Sequence, residues 1–75
     1  CNVFIDLEKS RDLHIVIQKL REAGVVIDSM DMSESRDGGE GISVHMVLYV
    51  KKPMGREDIY DILMKLDQVM AVDFL

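Results

Sequence analysis

From Ile42 to Lys51 the chain alternates without a break. Ile42, Val44, Met46, Leu48 and Val50 fall on one side, and Ser43, His45, Val47, Tyr49 and Lys51 on the other. A period of two in a run this apolar fits an extended strand with one face against a core. Its length and regularity predict a central strand. The rest of the chain must then supply neighbours for both edges and a cover for the apolar face. Only 75 residues are available, so residues 1–75 are expected to form one small domain.

The neighbours are legible by the same test. In Asn2–Leu7, Val3, Ile5 and Leu7 alternate with Asn2, Phe4 and Asp6, which predicts a first strand. The period then changes. Leu13, Val16, Ile17, Leu20 and Ala23 recur at helical spacing, with Ser10 placed as N-cap, Asp12 in the first turn and Gly24 as C-terminal stop. Val25-Val26-Ile27 opens a strand running to about Ser33. Its facing is ambiguous, because Val25 and Ile27 share one side while Met30 and Met32 fall on the other with Val26. A bulge near Ser29 would reconcile them, as would partial cover on both faces. Glu34 to Gly41, with Asp37-Gly38-Gly39 inside it, has the chemistry of a hairpin. After a Lys51–Gly55 loop, Glu57 and Asp58 lead a second helix with Ile59, Ile62, Leu63, Leu66 and Met70 along one face. Val69–Leu75 is a β-prone tail with Val72 and Phe74 turned toward the helices.

The order is β-α-β-β-α-β. It predicts an α+β fold of the ferredoxin-like kind, a four-stranded antiparallel sheet with two helices on one face. The other face is left to solvent or a partner. Composition fits a compact domain: 48% of residues are hydrophobic and 31% charged. No apolar run approaches the roughly 20 residues of a membrane span, and no signal-peptide pattern opens the chain, so the segment by itself is expected to be soluble. A formal net charge of −5 disfavours binding to nucleic acid or to an anionic membrane surface. The single cysteine, Cys1, cannot form an internal disulfide and points to a reducing, cytoplasmic setting. Because the chain opens on cysteine, the expectation is a piece of a longer polypeptide.

No catalytic constellation emerges. Neither His14 nor His45 is accompanied by a nucleophile motif around any serine, and no cofactor signature is present. Asp28, Asp31, Glu34, Asp37 and Glu40 recur every three residues. That spacing alternates faces along a strand, so a solvated hairpin is preferred to a divalent-cation site. Lys51, Lys52 and Arg56 form a small basic spot around Pro53 without aromatic interleaving, and the strands lack the aromatics of an RNA-recognition module. Six methionines are a high count for this length. Met46 and Met64 fit core positions, whereas Phe4, Met30, Met32, Val47 and Tyr49 are expected to form an adaptable apolar interface.

The first strand, the helix ending in Leu20-Arg21-Glu22-Ala23-Gly24-Val25-Val26-Ile27, the glycine hairpin and the closing Leu66–Val72 segment resemble ACT-like regulatory domains. The Ala23-Gly24-Val25-Val26-Ile27 turn is the most telling piece. The resemblance implies a small effector held where the first strand meets the first helix, here at Lys9, Ser10 and Arg11, although Asp6–Asp12 lacks the glycine such loops often carry. The Lys51–Gly55 link looks more like the C-terminal cytoplasmic domain of MgtC/SapB-type membrane proteins, which implies a role related to magnesium homeostasis and attachment to an inner-membrane protein through segments outside this chain. An acylphosphatase-type hydrolase, also ferredoxin-like, would need a placed asparagine, and Asn2 is the only one. The expectation is therefore a non-catalytic regulatory domain, self-associating through its sheet as a homodimer or higher homo-oligomer and contacting domains of its parent protein. An amino-acid-sensing ACT domain is the alternative.

Overall fold

The computed structural model describes residues 1–34 and 41–75. Within them, β1 (Asn2–Leu7) leads through a short 3-10 turn (Ser10–Asp12) into α1 (Leu13–Glu22); β2 (Val26–Glu34), β3 (Ile42–Tyr49), α2 (Arg56–Met64) and β4 (Val69–Phe74) follow. The strands form one antiparallel sheet in the order β2-β3-β1-β4. The protein is thus α+β, with a four-stranded antiparallel sheet and two helices. The hairpin expected between Glu34 and Gly41 falls largely outside the described residues, but Glu34 does pair with Ile42 across β2 and β3.

Alternation decides which sheet face is buried. Val3, Ile5 and Leu7 of β1 and Val44, Met46 and Leu48 of β3 share one face, and all six are buried. Val16 and Leu20 of α1, with Ile59 and Leu63 of α2, close over them in a single apolar cluster that Val25, Val69 and Val72 complete. Phe74 packs against the same cluster, as its place in the alternation predicts. The two central strands are β3 and β1, in line with the regularity of Ile42–Tyr49.

Bulges set the facing of the edge strands. Ile27 pairs with Leu48 but Ser29 with Val47, so Asp28 is the extra residue in β2. Met30 and Met32 consequently face the same side as Ile27, opposite Met46 and Val44. The ambiguity in the sequence is resolved by this one inserted residue. In β4, Asp6 pairs with Ala71 and Leu7 with Val69, which leaves Met70 unpaired. Met70 therefore lies in a strand at 65% exposure, not on the apolar stripe of α2.

The ends of the helices hold one confirmation and one correction. Gly24 adopts φ +84°, and its N–H donates to the Arg21 carbonyl while that of Val25 reaches Leu20, 3.0 and 2.9 Å away. This pair of bonds is a Schellman motif, and the left-handed residue at its corner favours glycine. Val25 and Leu20 are both buried beside it. Ser10, in contrast, is not the N-cap of α1. The chain first winds more tightly, with the Asp12 N–H on the Lys9 carbonyl at 3.0 Å, and α1 starts at Leu13 without a side-chain cap. At α2 the Asp58 carboxylate accepts the Gly55 N–H at 2.8 Å. Glycine has no side chain to return the bond, so only half of a capping box is present. Met64 is 40% exposed and lies outside the core, because it follows the buried Leu63 by about 100° around the helix.

Two stability predictions follow from these contacts. Leu63→Ala should cost about 2–5 kcal/mol in urea unfolding, while Met64→Ala should stay within about 0.5 kcal/mol. For a domain of this size the first is a large share of total stability. Gly24→Ala should lose about 1–2 kcal/mol through backbone strain alone, since an added Cβ would meet nothing within 4 Å. Gly24→Asn should lose less.

Candidate functional site

The sheet face opposite the core is covered by no other described element. Its composition follows from the register. Across β2, β3 and β1, Ser29, Val47 and Asn2 form one row. Asp31, His45, Phe4 and Asp73 form the next, spanning all four strands. Ser33, Ser43, Asp6 and Ala71 form a third, and Val26 and Tyr49 stand together at the far end.

These rows divide the face into two regions. At one end Tyr49 is 63% and Val26 57% exposed, with the half-buried Val47 beside them. At the other, Phe4 and His45 stack with ring centroids 4.5 Å apart and planes 13° from parallel. Antiparallel neighbours directly opposite one another stand close enough for such ring contact. His45 Nε2 donates to Asn2 Oδ1 at 2.9 Å, which orients the imidazole. Ser43 Oγ donates to the Asp6 carboxylate at 2.6 Å. Asp6, Asp31 and Asp73, all exposed, bracket the stacked rings on three sides.

Of the five residues expected in one apolar interface, the structure brings Phe4, Val47 and Tyr49 onto the open face. The Asp28 bulge turns Met30 and Met32 to the opposite side. There Met30 packs against the core, and Met32 stays exposed near the end of β2. Those two methionines therefore do not extend the patch.

Lys9, Ser10 and Arg11 surround the 3-10 turn, with Ser10 and Arg11 exposed. The Asp12 N–H is already bonded to Lys9, and His14 Nδ1 donates to the Arg11 carbonyl at 2.8 Å. Among the described residues, shallow depressions lie elsewhere. One, about 670 Å³, is lined by Lys51, Pro53, Met54, Asp58, Asp61, Ile62 and Lys65. Others lie between α1 and α2 and beside Tyr60 and Phe74. None is lined by Lys9, Ser10 or Arg11.

The other candidates separate. His14 bonds back to the 3-10 turn, and His45 bonds to asparagine. Arg56 leaves the basic spot near Pro53, lying 5.8 Å over the Phe74 ring and donating to the Leu75 carbonyl at 2.9 Å. Among the described residues no group of three or more His, Cys, Asp or Glu is placed to hold a metal ion, while Asp37 and Glu40 of the acidic series lie outside them. Cys1 is exposed.

The stacked pair with its ring of carboxylates was not legible as a unit. Alternation turns Phe4 and His45 outward, but only the register places them opposite each other. A double-mutant cycle on Phe4→Ala and His45→Ala should yield a coupling of about 0.5 kcal/mol in unfolding free energy. A coupling near zero would mean that the rings are only neighbours. In comparison with known proteins, no family model and no curated protein matches this chain.

Proposed function

We propose that this protein is a non-catalytic regulatory or interaction domain of ferredoxin-like, ACT-like architecture that self-associates through its sheet. The uncovered face supports this reading above all, since one end of it exposes Val26 and Tyr49 beside Val47. A contiguous apolar area on a domain this small is most simply covered by a second copy about a twofold axis. The order β2-β3-β1-β4 and the alternation of strands and helices along the chain support the ferredoxin-like assignment. The Schellman turn at Gly24, leading into Val25-Val26-Ile27, supports the ACT-like resemblance. In the MgtC/SapB-type reading the domain sits at the cytoplasmic side of a membrane protein and couples copies of its parent. No described helix is long and apolar enough to cross a membrane, so attachment in this reading depends on segments outside these residues.

The two regions of the face restrict how copies meet. Full face-to-face overlap would bring Asp6, Asp31 and Asp73 of one copy toward those of the other, which like-charge repulsion opposes. Partial overlap centred on Val26 and Tyr49 keeps the carboxylates apart, because Tyr49 lies four residues, about 13 Å, from His45 along β3.

Sedimentation across a wide concentration range tests this. The mass should rise from 8.6 kDa toward twice that value, and Tyr49→Asp, at an exposed site, should return the protein to monomer without loss of fold. Monomer alone at millimolar concentration would exclude self-association.

A further inference from the structure

The distribution of charge points to a second use of the same sheet. The four strand spans contain five carboxylates, Asp6, Asp28, Asp31, Glu34 and Asp73, and no lysine or arginine. Outside those spans the remaining nine of the fourteen acidic residues are matched by all nine Lys and Arg. The whole formal net charge of −5 therefore belongs to the strands. On the open face, Asp6, Asp31 and Asp73 surround the Phe4–His45 stack, and no Lys or Arg on any strand is there to neutralise them.

We propose that this acidic end binds a basic protein segment in which arginine is the anchoring residue, with the guanidinium over Phe4 and paired to Asp73. Phe4 has one ring face on His45 and is 37% exposed. On its other side the register neighbour is Asp73 of β4. A planar cation placed there gains both the ring quadrupole and a carboxylate, a combination that suits guanidinium better than ammonium. Asp31 lies at the other end of the same row, three inter-strand spacings or roughly 14 Å away. In an extended segment that distance separates side chains about four residues apart, at roughly 3.3 Å per residue. A second basic residue at that spacing reaches Asp31. A small apolar residue between the two would lie over the stacked rings. A second copy of this chain does not fit as occupant, since its own open face is equally acidic. Nucleic acid is disfavoured by the sign of the charge.

The probe is an acetylated seven-residue peptide with arginine at its second and sixth positions, leucine at the fourth and serine elsewhere, titrated into ¹⁵N-labelled protein. Saturable amide shifts should centre on Phe4, His45 and Asp73, and affinity should fall several-fold between 20 and 500 mM salt. Replacing arginine by lysine should weaken binding, and a glutamate version should not bind. Asp31→Asn and Asp73→Asn, both at exposed positions, should each weaken it about two- to fivefold while leaving the far-ultraviolet circular dichroism unchanged. The proposal is overturned by shifts confined to the helices, by equal binding of the glutamate peptide, or by unchanged affinity in both Asn variants. It is equally overturned if, without peptide, the same amides shift with protein concentration, which would assign this end to a second copy. Self-association through Val47 and Tyr49 is read separately by sedimentation, so either result stands without the other.

Discussion

The pairing of β1 with β3 is the constraint on which the rest of the molecule depends. Val3 opposite Met46 and Ile5 opposite Val44 place four fully buried side chains at the centre of the sheet. A slip of β1 by one residue in this register would turn Val3 and Ile5 to the open face and bring Phe4 and Asp6 into the core. The helices have no such leverage, because each contributes two fully buried side chains to a surface the strands have already defined. The same register that fills the core also brings Phe4 and His45 into contact on the far side. The candidate site is therefore held by the central pair and not by loops.

Irregularity is confined to the edges. β2 and β4 each carry one extra residue, Asp28 and Met70, while β1 and β3 pair with each other without interruption. Bulges twist an edge strand and disturb its free row of N–H and C=O groups, which discourages pairing with another chain. Two edges disturbed in this way leave the open face as the surface better suited to contact. That is why the proposed association is placed at Val47 and Tyr49 and not at strand addition along β2.

Much of the fold was legible because each element repeats one period long enough to be read. Asn2–Leu7 and Ile42–Tyr49 show alternation, α1 and α2 show helical spacing, and Gly24 marks the only described left-handed turn. The failures share a cause. Ser10, Met64 and Met70 each sit at the boundary of an element, where one residue's shift of phase changes the face. The extra residue at Asp28 moved Met30 and Met32 to the core side for the same reason. A period can be counted from the sequence, but a phase change can be located only by the partner strand. The candidate site suffered most from this. Its members come from β1, β2, β3 and β4, with no sequence proximity to suggest that they meet.

Charge placement adds what periodicity could not. A net charge of −5 first served only to exclude polyanionic partners. Its confinement to the strands gives it direction. Were the carboxylates spread evenly, the helical layer would share the potential and the open face would be an ordinary polar surface. With acidic and basic residues balanced outside the strands, three of the five unbalanced carboxylates, Asp6, Asp31 and Asp73, lie on the side that no described element covers. In the proposed arrangement the apolar end of that face meets its own copy, and like-charge repulsion keeps the acidic end from doing so. On the two proposals above, a single small sheet presents two surfaces with different partners, centred on Tyr49 and on the Phe4–His45 pair about two pleat repeats away.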